Sequence, residues 1–247
     1  MRIIRPLLTV LTLCLLVACG GGGSSGPDLQ GIWTGTYAPA GSPVPLYALI
    51  KDGGPALFYD AQAGFVILMP QTPGDSTLKE PGTLYPTYGF IFTGNHASLP
   101  VEFQGADSAS AISGSIVLEG APAAFSLHPV NPLGGTASVV AGVWSGQYVG
   151  SQNVSFQVAA DGSVISGQDV FGCHFTGKIA PLDAAKDLFS VTLAETGSVA
   201  FCVHHLTGFA YQSGTDQLNI DGHAAGTYYY VVADDAAVAF AAEFKVQ

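Results

Sequence analysis

Apolar and polar residues alternate over short stretches of the chain, and this alternation predicts β-strands. The clearest case lies between residues 153 and 158, where Val154, Phe156 and Val158 alternate with Ser155 and Gln157. Such a period of two predicts a strand with one buried and one exposed face. Further stretches of strand length follow as far as the C-terminus. The second half of the chain is therefore predicted to form about eight short strands and no helix.

The pattern G-x-W-S/T-G-x-Y occurs twice, at residues 31–37 and 142–148, and its two copies contain both tryptophans of the chain. An Asp-Gly pair follows each copy, at 52–53 and at 161–162. Asp-Gly between alternating stretches is typical of β-hairpin turns. This internal repeat predicts two tandem β units, at 29–130 and 141–247, joined by a linker at 131–140.

An antiparallel up-and-down barrel is the economical fold for each unit, because closing the sheet removes its unpaired edges. The predicted fold class is therefore all-β, with two tandem small barrels. Glycine, valine, serine, threonine and tyrosine are abundant and charged residues make up only 10% of the chain, which agrees with a β fold.

The stretch GVWSGQYVGSQNVSFQVAADGSVISG, residues 142–167, resembles the opening of avidin-type and lipocalin-type (calycin-like) barrels. This resemblance implies that the tryptophan closes one end of each barrel. Trp33, Tyr37, Trp144 and Tyr148 are accordingly candidates either for such a plug or for a ligand pocket. Avidins supply further tryptophans from later strands to enclose biotin, and this chain has none. The resemblance thus implies a fold and argues against biotin binding.

The N-terminus carries the features of an export signal, since two arginines precede an apolar run that ends at Ala18. The run is shorter than the roughly 20 apolar residues that a membrane-spanning helix needs. Its last residues, Leu16-Val17-Ala18-Cys19, resemble the lipobox of bacterial lipoproteins. That resemblance implies a signal peptide at 1–18 and acyl chains, including palmitate, on Cys19. Several chains together anchor a protein firmly.

A Gly/Ser-rich segment follows Cys19, and we expect residues 19–28 to form a flexible tether. Because Gly20 is not an aspartate, resemblance to the bacterial sorting rule implies the outer membrane, with the leaflet left open. A glycine-rich tether before two β modules is also similar to the layout of Gram-negative surface lipoproteins such as the transferrin-binding and factor-H-binding lipoproteins. The expected location is the cell outer membrane, with its lipid as a partner of the acyl chains.

Charge narrows the choice of other partners. Removing the signal peptide removes Arg2 and Arg5, so five lysines face 18 acidic residues and the net charge moves from −11 to −13. Nucleic acid is an unsuitable partner, because phosphate contacts need basic side chains. A basic protein or another macromolecule is favoured, unless the acidic surface serves solubility alone.

Cys173 and Cys202 are the cysteines of the predicted folded units, and in an exported protein two such thiols predict a disulfide. One conflict remains, because a strand is predicted between them and next-nearest strands lie about 9.5 Å apart. Either one cysteine lies at a strand end or the strand order differs. A metal site with His174, His204 and His205 is the weaker alternative, since neighbouring strand residues point to opposite faces.

Catalytic patterns are absent from the sequence. No G-x-S-x-G nucleophile motif occurs, and the carboxylates are scattered. We expect no enzyme activity and no cofactor. The preferred hypothesis is a non-catalytic binding module for a macromolecule, acting through loops of the first unit or a groove between the units. The alternatives are an envelope-maintenance lipoprotein, an inhibitor of a cationic enzyme such as lysozyme, and a carrier of a small ligand.

Overall fold

The computed structural model describes nine segments of the chain: 27–60, 65–70, 77–86, 98–130, 138–148, 153–198, 202–212, 228–235 and 239–247. The predicted signal peptide, Cys19, almost all of the predicted tether and the first seven residues of the predicted linker lie outside these segments. A strand predicted at residues 217–224 lies outside them too. No helix within the described segments has the length and apolar character to cross a membrane.

The first eight strands form one closed antiparallel barrel in which each strand pairs with its sequence neighbours and β1 also pairs with β8. The strands are β1 Gly31–Ala38, β2 Val44–Ile50, β3 Ala56–Asp60, β4 Phe65–Met69, β5 Thr77–Pro86, β6 Leu99–Ser108, β7 Ala111–Leu118 and β8 Ala121–Pro129.

The next eight strands form a second closed antiparallel barrel with the same neighbour order, closed by pairing of β16 with β9. They are β9 Gly142–Tyr148, β10 Asn153–Val158, β11 Ser163–Asp169, β12 His174–Asp183, β13 Leu188–Thr196, β14 His205–Gln212, β15 Tyr228–Asp234 and β16 Ala239–Val246. The prediction of two tandem up-and-down barrels is confirmed, and so is the alternation along β10.

Each barrel has two ends, which we name from its first strand. The lower end is where β1 or β9 begins, and the upper end is where that strand finishes. Because all neighbours are antiparallel, every odd-numbered strand runs from the lower to the upper end and every even-numbered strand runs back.

Both barrel interiors are filled by buried apolar side chains, which form one core in each barrel. In the second barrel Phe156, Phe175, Phe240 and Phe244 are almost fully buried, and the rings of Phe156 and Phe244 stack with centroids 4.5 Å apart. In the first barrel Phe58, Phe103 and Phe125 pack in the same manner. Aromatic rings thus occupy the space that a ligand-carrying barrel leaves open.

The two barrels pack against each other through a third apolar cluster, formed by their outer faces. Strands β2, β3 and β4 lie against β14, β15 and β16. The buried side chains of this inter-barrel cluster are Ile32, Tyr47, Leu49, Leu57, Val66 and Tyr85 from the first barrel and Leu188, Phe209, Tyr211, Val232, Ala239 and Ala241 from the second. Side chains therefore fill this contact where we had considered a groove between the units.

Counting strands within each barrel, the contact joins strands two to four of the first barrel to strands six to eight of the second. The packing is thus head-to-tail, because the two barrels contribute different faces. The equivalent strands of the second barrel are β10, β11 and β12. Their outer face corresponds to the face of β2, β3 and β4 that is buried in the inter-barrel contact.

Polar bonds join the lower ends of the barrels. The Lys186 ammonium lies 2.9 Å from the Asp28 carboxylate and 2.6 Å from the carbonyl oxygen of Gln30, and the Gln30 side-chain amide donates to Asp183 at 2.9 Å. The hydrogen bond from Lys186 is the main reason why the pKa of Asp28 is lowered. Asp28, which we had predicted as the end of the tether, is therefore held by the second barrel.

Candidate functional site

The repeated motif builds the same plug in both barrels. The indole N–H of Trp33 donates to the carbonyl of Leu29 at 2.7 Å, and that of Trp144 donates to Val140 at 2.9 Å. Both rings are almost completely buried at the lower ends. Each motif begins at a glycine with positive φ, +137° at Gly31 and +147° at Gly142, which side chains rarely adopt.

The tryptophans and Tyr37 belong to the apolar cores of the two barrels. Tyr37 is 8% exposed and meets Phe65 edge to face, with ring centroids 5.8 Å apart. Burial raises the pKa of the Tyr37 phenol, with a smaller contribution from the carboxylate of Asp60. The side chain of Tyr148 lies outside the described part of the structure.

Tyr229 completes the lower plug of the second barrel. Its phenol oxygen accepts a hydrogen bond from the Val140 amide and donates to the carbonyl of Ser138, both at 3.2 Å. Burial raises the pKa of Tyr229 to about 12. Ser138 and Val140 fall within the predicted linker, and the structure corrects this, because both residues cover the lower end of the second barrel.

Cys173 and Cys202 form the predicted disulfide, with Cα atoms 5.2 Å apart. The conflict with strand order is resolved because both cysteines lie just before strands, at the upper end. Cys173 precedes β12 and Cys202 lies three residues before β14, so the bond passes over the end of β13. Gly197 permits this approach, since a Cβ there would lie 2.9 Å from the sulfur of Cys202.

The three candidate histidines do not come together with the cysteines as a metal centre. Both sulfurs are used in the disulfide, His174 and His205 are exposed, and the ring of His204 is bonded to the carboxylate of Asp235. Cys202 and His204 both precede β14, which begins at His205. Across the described segments, no three His, Cys, Asp or Glu residues are grouped so that they could hold a metal ion.

The outer face of β9, β10 and β11 is the most distinctive surface of the second barrel, and we call it the neutral face. Its exposed or half-exposed side chains include Val143, Ser145, Gln147, Asn153, Ser155, Gln157, Ile165, Ser166 and Gln168, together with Val170, which directly follows β11. The three strands contain one charged side chain, Asp169. That carboxylate is 6% exposed and accepts hydrogen bonds from the amides of Phe171 and Cys173, both at 2.9 Å.

Strand register shows what the neutral face replaces. We matched Trp33 of β1 with Trp144 of β9 and compared the residues that pair with each strand. Ser155 and Gln157 of β10 then occupy the positions that Tyr47 and Leu49 of β2 occupy in the first barrel. In the same way, Ser166 and Gln168 of β11 occupy the positions that Leu57 and Tyr59 of β3 occupy in the first barrel. These four positions are apolar or aromatic in the inter-barrel contact, and they are amides and hydroxyls on the neutral face.

Two adjoining grooves run along the neutral face. One, of about 380 Å3, is lined by residues that include Ser145, Asn153 and Gln168. The other, of about 260 Å3, includes Val143, Gln157 and His174, and Ser155 and Gln168 line both grooves. The two grooves therefore adjoin and form one shallow depression, which is lined by β9, β10 and β11 and by His174 at the start of β12.

A β-bulge shapes this depression. The register shifts between Val164 and Gly167, and Ile165 is the extra residue of the bulged strand, so Ile165 and Ser166 are both exposed. Bulges re-aim side chains and are common beside functional sites. The neutral face was not predicted from the sequence. The feature that could have indicated it is the absence of Lys, Arg and Glu from residues 142–168.

Comparison with known proteins identifies no family for this chain. No protein-family model matches the chain, and no curated protein matches it significantly. Among solved structures, the chain is similar to the Myxococcus xanthus hemagglutinin, described in complex with a mannopentaose. The identity is 11%, the alignment covers 90% of this chain and 86% of that one, and the TM-score is 0.17.

Proposed function

We propose that the protein is an acylated outer-membrane lipoprotein that binds a macromolecular partner with the outer surface of its barrels and catalyses no reaction. The observation that carries this proposal is that buried apolar side chains of the described segments pack together inside both barrels. A carrier of a small ligand needs a lined cavity of a few hundred cubic ångströms inside the barrel. Binding is therefore assigned to the outside of the barrels.

The lipobox and the tether support an anchored location. Acyl chains on Cys19 would hold the chain at the membrane, and the glycines after it would let the barrels stand away from the lipid. The bonds of Asp28 and Gln30 to the second barrel lie at the lower end, where the first described residues of the chain are found. The upper ends of the barrels then lie away from the point of attachment, and the neutral face runs along the side of the second barrel.

The anchor can be tested with radiolabelled palmitate and the variant Cys19→Ser. We expect label on the wild type alone, and release of the variant from the outer-membrane fraction. Ser24→Ala, in the same tether, is the matched control and should keep both the label and the location. Labelling of Cys19→Ser would contradict the proposed acylation site.

The location can be tested by protease treatment of intact cells, with lysed cells as the control. Loss of the barrels from intact cells supports binding of an external macromolecule. Protection until lysis would contradict a surface receptor, and the partner would then be sought in the periplasm. Crosslinking of the intact protein in its own membrane gives the direct test, because recovery of neither a protein nor a polysaccharide would overturn the binding role.

A further inference from the structure

We propose that the neutral face binds a chain of uncharged sugar units. The inference rests on the proposed binding function and names the class of partner and its site. It starts from the register comparison, in which Tyr47, Leu49, Leu57 and Tyr59 of the first barrel correspond to Ser155, Gln157, Ser166 and Gln168.

The neutral face differs in charge from another solvent-exposed surface of the same protein. The exposed outer face of the first barrel carries Lys79, Glu80 and Glu102 around its own groove. The neutral face has no lysine, arginine or glutamate, and its one aspartate points inward. Charged side chains occur on the flanking strands, where Lys245 of β16 lies opposite Ser145 and Lys178 of β12 is paired with Asp161. Within β9, β10 and β11 an ionised ligand finds no counter-charge, and the acidic body repels an anionic ligand.

The side chains that remain match hydroxyl groups. An amide presents both donors and acceptors, and a hydroxyl can do either. A sugar ring offers neighbouring hydroxyls that need both kinds of partner. Gln157 and Gln168 are exposed on adjacent strands, with the hydroxyls of Ser155 and Ser166 as their cross-strand partners.

Apolar side chains border this polar strip. Val143, Ile165 and Val170 are 42%, 59% and 58% exposed, which is high for large aliphatic residues. They can cover the C–H surface of a sugar ring, whose transfer from water is favourable. The two grooves are joined through Ser155 and Gln168, so the depression suits several linked units better than one ring.

A protein partner fits this face less well. The buried centre of a protein interface is apolar and rich in aromatic residues. The first barrel has that composition at the same positions, with two tyrosines and two leucines, and it buries them against the second barrel. Their replacement by serine and glutamine removes most of the apolar area that would drive such a contact.

Affinity electrophoresis of the full-length lipidated protein in detergent tests the proposal. Native gels would contain dextran, mannan, amylopectin or galactomannan as uncharged polymers, and alginate as an anionic one. We expect retardation by at least one uncharged polymer and none by alginate. The double variant Gln157→Ala/Gln168→Ala should bind at least 10-fold more weakly. The matched control is Gln104→Ala/Ser126→Ala on the exposed face of the first barrel, which should bind as the wild type does.

Thermal unfolding of each variant would confirm that these exposed substitutions leave the barrels folded. Retardation by none of the uncharged polymers would overturn the proposal, as would equal retardation of wild type and double variant. Capture of a protein in the membrane crosslinking experiment, lost in the double variant, would also overturn it while leaving the binding function intact. If the protein crosslinks to neither a protein nor a polysaccharide in its own membrane, the proposed binding function itself would be contradicted.

Discussion

The ring of Trp144 stacks on the ring of Tyr229, with centroids 4.1 Å apart and planes inclined by 19°. This pair closes the lower end of the second barrel, and the Tyr229 phenol also bonds to Ser138 and Val140. The segment before β9 is thereby fixed to a strand that lies far away in the sequence. Tyr229 is thus a structural residue, although a tyrosine beside a tryptophan is also typical of ligand pockets.

Tyr229 makes stability depend on pH in alkaline solution. The pKa of Tyr229 is about 12 in the folded protein, and that of an unfolded tyrosine is about 10. A pKa raised by folding gives stability that is complete below pH 10 and is lost as the pH rises towards 12. We expect the free energy of unfolding to fall less steeply in this range for Tyr229→Phe than for the wild type.

Urea unfolding at pH 9, 10, 11 and 12 measures this difference. Tyr37→Phe is the comparison from the first barrel, where burial also raises the pKa of the phenol. Because the barrels are expected to unfold together, Tyr37→Phe should also reduce the alkaline dependence of their common transition. Equal slopes for wild type and Tyr229→Phe would show that the Tyr229 phenol ionises as freely in the folded protein as in the unfolded chain.

The disulfide of the second barrel is expected to stabilise the whole protein. Closing a loop between residues 173 and 202 contributes about 3.6 kcal/mol on the chain-entropy model. The double variant Cys173→Ser/Cys202→Ser should therefore lower the free energy of unfolding by roughly this amount. Urea unfolding followed by tryptophan fluorescence, with Trp33→Phe to isolate Trp144, measures the change. An unchanged midpoint would contradict it.

Gly197→Ala offers a sharper test of the same region. The new Cβ would lie 2.8 Å from the Cβ and 2.9 Å from the sulfur of Cys202, so the disulfide or the chain must shift. We expect destabilisation in the wild type and a smaller effect in the background without the disulfide. A double-mutant cycle measures the coupling. Additive effects would mean that Gly197 is required for another contact.

The inter-barrel cluster should make the two barrels unfold together. Phe209 is 4% exposed within it, and replacing a buried phenylalanine by alanine typically costs about 3–5 kcal/mol. We expect Phe209→Ala to lower the unfolding temperature and to separate one calorimetric transition into two. Ile165→Ala, at a residue 59% exposed, is the control and should change the free energy by less than about 0.5 kcal/mol.

The barrel fold could be predicted because its signals are local. Alternation along residues 153–158 marks β10, Asp-Gly at 161–162 marks the next turn, and Gly142 with Trp144 marks the lower plug. The disulfide was also predictable, since two cysteines in the body have few other roles. The position of the disulfide was not predictable, because Cys173 and Cys202 lie on either side of β13 and meet only at the upper end of the folded barrel.

The inter-barrel contact and the neutral face depend on contacts between distant strands, which a single sequence does not specify. One signal was available, because β2, β3 and β4 are nearly continuous apolar runs and such runs indicate burial on both faces. The second copy of these strands keeps strict alternation in β10. Comparing the two copies by strand register exposes the difference, and register is known only from the structure.

Lys186 gives the inter-barrel contact a dependence on acid. The ammonium of Lys186 lowers the pKa of Asp28, so this carboxylate contributes stability above the pKa of unfolded aspartate, and the contribution is lost as the pH falls through its lowered value. We expect Lys186→Met to lower stability by about 1 kcal/mol at pH 7, because it removes an exposed ion pair and a hydrogen bond to Gln30. As the pH falls through the lowered pKa of Asp28, the difference should shrink to the part due to Gln30 alone.

The matched control is Lys178→Met, which removes the ion pair of Lys178 with Asp161 inside the second barrel. The pKa of Asp161 is about 2, lowered first by its bond from the Ser163 amide and then by Lys178, so this pair is also lost in acid. Both lysines therefore change acid stability, but only Lys186 touches the other barrel. Calorimetry at pH 7 should show weakened coupling of the barrels in Lys186→Met alone. Equal coupling in both variants would mean that the apolar cluster joins the barrels without help from the lower-end bonds.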